Sequence, residues 1–293
     1  MNMYPAIPVY AILSTMKGDY DGGFKKMGDI GYRYIELLGI NPFEGKTMPE
    51  ICPAGKMREI LAESRLTPIS YHEQVQDFKN KKWDKLLSYC DAIGCRTIVL
   101  PSMWIRTEDE ALALAENLDQ VGRFMAQRGF VYCIHTHHLE FRRLSDGRTL
   151  VDVLLENTDP ENVEVEFDIV WSMRGGVKPL EELKKFGTRC SMVHMKDFKK
   201  DFDDPINLFE LMQRDGCMDS DNLKGIIDKY SRSKEFFCTI GTGGLDIPGI
   251  LKDLKQMGYV KYVIAENEEK TDHQYDIAKQ EYDYLSQWLQ QEA

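Results

Sequence analysis

No run of about 18 apolar residues occurs anywhere in the 293-residue chain, so no segment reads as a helix able to span a bilayer. The first residues, Met1 to Pro5, lack the positive region and apolar stretch of a secretory signal, and a cytoplasmic location is the expectation. No CxxC pair exists among the seven cysteines (Cys52, Cys90, Cys95, Cys133, Cys190, Cys217 and Cys238), which removes the short spacings of a zinc ribbon or redox motif. Several lie in apolar runs, where a reduced cysteine packs as a small hydrophobe. Positive charge is scarce. Lysine and arginine number 37 against 48 acids, a net charge of −11, and no long basic stripe offers the footprint that nucleic acid requires. No GxGxxG follows the first strand-like run, against a dinucleotide-binding sheet.

What is present is alternation. Strand-like runs over Ile7–Leu13, Tyr32–Leu37, Pro68–Tyr71, Thr97–Leu100, Phe130–Ile134, Val163–Phe167, Ser191–Val193 with Met195, and Tyr262–Ala265 are separated by segments of helical period. The clearest helix spans about Thr107 to Arg128, with Thr107 and Glu110 at capping-box spacing and Gly129 as its stop. Others are expected over about Ile51–Arg65, Trp83–Ile93 and His273–Leu289. Eight strand–helix repeats in one undivided 293-residue chain predict an α/β fold, a single-domain (β/α)₈ TIM barrel. Two stretches break the rhythm, residues 39–53 and 201–236, the second with a helix-like piece near Leu223–Tyr230. Both follow strand ends and are expected to cover the site.

Acids and a histidine stand where strands run out: Glu140 after the fifth, Asp168 after the sixth, His194 at the seventh and Glu266 at the eighth. Strand ends of a barrel converge on one face, so these four form a mostly oxygen donor set for one divalent ion, Mn²⁺ or Mg²⁺ first, Co²⁺ or Zn²⁺ also suited. Ile134-His135-Thr136-His137-His138-Leu139-Glu140-Phe141 carries three of the six histidines. His135 and His138 read as hydrogen-bonded groups around the site, and His137 as a substrate contact.

That segment resembles the YHNHDxEF signature of the sugar phosphate isomerase/epimerase superfamily, the xylose-isomerase-like TIM barrels. Leu154–Pro160 with Glu166–Trp171, Val193-His194-Met195-Lys196-Asp197, Ile240–Pro248 and Ile264–Glu268 are similar to further motifs of the superfamily, in order along nearly the whole chain. The resemblance implies the same four metal ligands, Glu140, Asp168, His194 and Glu266. It also implies substrate contacts by His72, Lys196, Glu36 and Trp171. Thr136 and His138 depart from it, standing where asparagine and aspartate are common; neither replaces an expected ligand.

The implied activity is that of a metal-dependent isomerase or epimerase of a keto-sugar or keto-polyol. It abstracts the proton beside the carbonyl to give an enediolate, with Glu140 and Glu266 as the acid/base pair. Loss of a β-hydroxyl from the same intermediate makes a dehydratase or lyase, the alternative. A non-catalytic sugar-binding barrel and an abasic-site endonuclease complete the classes considered. The glycines of Gly241–Gly244 and of Arg174-Gly175-Gly176 are read as tight turns rather than phosphate cradles, so a neutral small-molecule substrate is expected. Trp104 and Ile105, directly after the fourth strand, are expected at a lid or at the contact of a homodimer.

Overall fold

The computed structural model describes residues 2–77, 79, 83–202, 204–218, 225, 229, 236–269 and 271–289. Eight parallel strands close into a barrel: β1 (Tyr4–Pro8), β2 (Tyr34–Leu38), β3 (Thr67–His72), β4 (Thr97–Leu100), β5 (Val131–His135), β6 (Glu164–Asp168), β7 (Met192–Met195) and β8 (Tyr262–Ala265). Each pairs with its sequence neighbours, and β8 pairs with β1 to complete the ring. The expected α/β barrel is therefore the fold. Seven of the expected strands coincide with observed ones to within a few residues.

The first does not. The strand is Tyr4–Pro8, and the apolar run that follows winds into a 3₁₀ turn over Val9–Ile12 and a short helix, Leu13–Met16. Val9, Ala11 and Ile12 are all buried there. Apolar content without a period does not separate a strand from a tight turn.

The helices form where their caps and faces say they should. Helix Glu108–Ala126 begins at Thr107, whose side chain accepts from the Glu110 N–H while Glu110 answers to the Thr107 N–H. It buries Ala111, Leu114, Ala115, Leu118, Val121, Gly122 and Met125, one face at helical spacing. Gly122 must be glycine: a Cβ there would stand 2.0 Å from the Asn162 carbonyl oxygen. The seven cysteines are free thiols, five of them buried.

Alternation along the strands sorts side chains into two regions. Val165, Phe167, Val193, Met195, Val263 and Ala265 face outward into the layer beneath the helices. Inside the ring, Ala6, Ile69, Val99, Cys133, Met192 and Ile264 form a closed apolar floor. Below it Tyr4, Tyr34 and Tyr262 pack with ring centroids 5.0 to 6.4 Å apart. Two residues beyond Cys133, Met192 and Ile264 the chain turns polar, at His135, His194 and Glu266.

Of the two long connections, residues 39–53 form a hairpin (Ile40–Asn41 against Lys46–Thr47) and a short helix, Met48–Ile51, capped by the Thr47–Glu50 box. In the second, Leu208–Arg214 is helical and packs with Trp171, Phe198, Phe236 and Phe237. The helix expected over Leu223–Tyr230 lies outside the described residues. Among the described residues no helix is long and apolar enough to cross a membrane.

Candidate active site

The polar upper layer of the barrel opens into a cavity of about 400 Å³ at the C-terminal ends of the strands, within the usual size of small-molecule sites. Register sets its residues side by side: His135 is paired with Glu166, Asp168 with His194, and His194 with Ile264 two residues before Glu266. On the other side, a register shift against β3 between Ile35 and Glu36 sets Glu36 opposite Ser70. It leaves Ile69 in the floor while Ser70 donates to Glu36 at 2.7 Å.

Two sets of side chains meet at His194. Its Nδ1 lies 2.7 Å from Glu266, which begins the loop after β8. The Lys196 ammonium bonds both Asp168 and Glu266 and lies 3.6 Å from Glu268. One donor atom each from Asp168, His194 and Glu266 lies within 4.8 Å of the others. Two carboxylates and an imidazole at that spacing fit a hard or borderline divalent ion, and Lys196 supplies positive charge to the same two carboxylates. The set includes three of the four expected ligands. Glu140 lines the same cavity from a 3₁₀ turn, Leu139–Phe141, and its carboxylate is held by the His137 N–H at 2.9 Å. It stands outside the compact trio.

The second set is deeper. His72 Nε2 and His135 Nδ1 each lie 2.8 Å from the same oxygen of Glu166, and His72 reaches Glu36 at 3.0 Å. His194 Nε2 is 3.3 Å from Glu36 and 3.4 Å from Glu166. Glu36, His72, His135, Glu166 and His194 are all buried. His135 thus takes the supporting place expected of it. Glu36 and His72, expected against substrate, are anchored in this inner layer while also lining the cavity.

Environment divides the carboxyls into two kinds. Burial pushes Glu166 and Glu266 up, but the cationic groups around them win: His72 and His194 hold the first, Lys196 and His194 the second, well below the usual carboxylate range. Among the described residues no cation stands beside Glu140, and burial raises it to about 7 in spite of the backbone N–H groups it accepts from. Glu268 also rises to about 7, through burial first, with Lys196 opposing and Glu266 and Asp168 reinforcing. It accepts from Trp171 Nε1 at 2.8 Å. Among the histidines, burial pulls His72 down, yet Glu36 and Glu166 carry it to about 10. His137 is driven well below its ordinary value by burial and by His135, so its ring is neutral. That ring packs on His135 at 4.7 Å and Trp171 at 5.6 Å.

Glu166 and Glu268 were not singled out by the sequence reading. The signal for Glu166 was there, since a residue two before Asp168 on a strand shares its inward face. Glu268 sits in a loop without period, and only the fold brings it over Trp171. The mouth is apolar: Tyr10, Ile40 and Trp104 line it with 38, 45 and 49% of their surface exposed. Of residues 39–53, Ile40 and Pro42 line the cavity; among the described residues, none of 201–236 does. The second segment instead packs behind Trp171.

Both glycine turns spend their N–H groups internally. Asp197 accepts from Gly241 at 3.0 Å, Gly243 at 2.9 Å and Leu245 at 3.1 Å, and Gly244 donates to the Phe198 carbonyl. Gly175 and Gly176 donate to carbonyls of the helix they end, Ile169–Arg174.

Fold and site together define a (β/α)₈ barrel with a buried acid–histidine centre at its strand ends. The chain belongs to the xylose isomerase-like TIM barrel family, whose model matches residues 24–291. It is 27% identical over 173 residues to an inosose dehydratase of Clostridium perfringens, covering 59% of this chain and 52% of that protein. The chain thus spans about half the length of the curated relatives it matches. A sugar phosphate isomerase/epimerase from Parabacteroides distasonis superposes with a TM-score of 0.70 at 22% identity, over 96% of this chain and 97% of that one. The IOLI protein with a binding zinc atom gives 0.65 at 14%, over 98% and 99%. These two structures share the fold.

Proposed function

We propose that this chain is a divalent-metal-dependent enzyme that removes the proton beside the carbonyl of a keto-sugar or keto-polyol and then expels the β-hydroxyl as water. One observation carries the reading: the cavity sets Asp168, His194 and Glu266 beside two carboxyls, Glu140 and Glu268, that burial holds protonatable near neutral pH. The inosose dehydratases among its relatives favour elimination over the isomerase or epimerase outcome expected from the sequence.

Asp168, His194 and Glu266 would hold the ion. The chemistry supplied by a bound divalent ion is polarisation of the carbonyl and neutralisation of the charge that grows on its oxygen. Glu140, in its ionised form, takes the proton from carbon. The electron pair left behind becomes the new carbon–carbon double bond as the β carbon–oxygen bond breaks. Glu268, in its acid form, gives its proton to the departing hydroxyl, and the products are water and an unsaturated ketone. Glu266 bears charge instead of moving a proton, because Lys196 and His194 stabilise it as a carboxylate. Neutral His137 and the face of Trp171 orient the sugar hydroxyls and ring. The inward-turned glycine N–H groups leave those turns without a phosphate cradle, in keeping with a neutral substrate.

The test is to incubate the metal-loaded protein with a panel of keto-polyols and keto-sugars in D₂O. Deuterium at the carbon beside the carbonyl together with a new conjugated-carbonyl absorbance is expected. Deuterium with an epimer or isomer and no absorbance assigns the second outcome of the same first step. A panel without exchange overturns the reaction class.

A further inference from the structure

Below the trio, the inner layer gathers a donor set of different chemistry. His72 Nε2, His135 Nδ1 and His194 Nε2 surround one oxygen of Glu166 at 2.8, 2.8 and 3.4 Å. One ligating atom from each of the four lies within 4.8 Å of the others. Ligands about 2.0 Å from a tetrahedral ion stand roughly 3.3 Å from one another, so only small shifts separate this arrangement from a coordination sphere.

We propose that His72, His135, Glu166 and His194 form a second cation site, for a nitrogen-preferring transition ion such as Zn²⁺ or Co²⁺, beneath the site at Asp168 and Glu266. His194 Nε2, one of these four donor atoms, is buried with no well-formed hydrogen bond although Glu36 and Glu166 lie 3.3 and 3.4 Å away, and the outer oxygen of Glu166, Oε1, is buried without a partner as well. A buried polar atom is ordinarily satisfied, and an orphan asks for a ligand. Charge points there too. Glu36 and Glu166 are both buried in this layer, where a divalent ion would take over the countercharge that His72 and His194 now supply. Three imidazoles with one carboxylate select Zn²⁺ or Co²⁺ over Mg²⁺, whereas the oxygen-rich trio above does not. Entry is open, because His72, His135 and His194 line the cavity.

His194 belongs to both sets, Nδ1 above and Nε2 below. A neutral imidazole has one lone pair to give, so an ion held below draws His194 away from the trio. The two sets thus compete for His194, but the donor set below rests on its own geometry and not on the reaction proposed above.

The experiment uses the full chain, stripped with a chelator and titrated with Co²⁺ while visible absorption and bound metal are followed. It compares wild type with Asp168→Asn, which disables the upper site, and Glu166→Gln, which disables the lower. Asp168→Asn should still bind one Co²⁺ with the wild-type absorption bands. Glu166→Gln should bind Co²⁺ at the lower site more than about tenfold less tightly and lose those bands, since even a group behind a ligand is worth 10- to 100-fold in affinity. X-ray absorption of Asp168→Asn loaded with one Zn²⁺ should count three imidazoles and needs no folded Glu166 variant. Unchanged affinity and spectrum in Glu166→Gln, or fewer than two imidazoles on that zinc, overturn the proposal. Metal content untouched by Asp168→Asn and abolished by Glu166→Gln would support the inner site while removing the trio from the reaction proposed above.

Discussion

The barrel interior holds two layers, and they follow opposite rules; on two strands they stand two residues apart, Cys133 below His135 and Met192 below His194. The lower layer, Ala6, Ile69, Val99, Cys133, Met192 and Ile264, is a packed apolar floor with three tyrosines beneath it. The upper layer, Glu36, His72, His135, Glu166 and His194, is as buried as the floor yet made of titratable groups. Hydrophobic side chains at the upper positions would have closed the barrel more cheaply, since replacing buried ion pairs by packed apolar groups is often neutral or stabilising. The lesson is one of division of labour. The floor fixes the strands, and the upper layer uses that rigidity to hold charges where water cannot relax around them.

Breaking the upper layer should cost most. Glu166→Ala leaves His72 and His135 facing no shared carboxylate, and removing one partner of a buried ionic set costs about 3–5 kcal/mol. A shift of the urea unfolding midpoint at constant slope measures it. In the floor, Ile264→Val should cost only about 0.5–1.5 kcal/mol and leave metal content unchanged, because a methyl is lost where no charge is held. A third kind of buried carboxyl sharpens the contrast. Among the described residues Glu281 accepts from the Ile240 N–H and the Asn267 amide and faces no cation, and burial raises it from 4.5 to about 7. With the folded value above the unfolded one, the stability tied to Glu281 is fully present below about pH 4.5 and is lost as pH rises through 7. Glu281→Gln keeps both acceptor bonds and should remove that loss. Its stability relative to wild type should therefore grow between pH 5 and 8, by no more than about 1.4 kcal/mol per pH unit. Parallel pH–stability curves for the two proteins would contradict the assignment.

The floor and the ring were legible because they obey periods. Strand alternation, the Thr107 capping box and the strand-end positions of Asp168, His194 and Glu266 rest on local spacing, and the structure brings those three together. What escaped was set by contacts distant in sequence. Nothing local says that Glu140 is tied down by backbone N–H groups away from the trio, or that Lys196 bonds both Asp168 and Glu266. Glu268 becomes a pocket residue only because Trp171, 97 positions earlier, turns its indole N–H toward it. At the first strand the sequence misled, because the apolar run past Pro8 buries itself by turning rather than by pairing.

The role of Glu140 is where ligand and proton carrier part company, and one variant separates them. Glu140→Gln, saturated with Mn²⁺, is measured for bound metal after gel filtration and for solvent-deuterium exchange into a keto-polyol. Metal content equal to wild type is expected, with exchange slowed by about 10²–10⁴-fold, the usual worth of a positioned acid/base group. Metal content that falls together with exchange, both restored by excess Mn²⁺, would make Glu140 a ligand and contradict its place as the base.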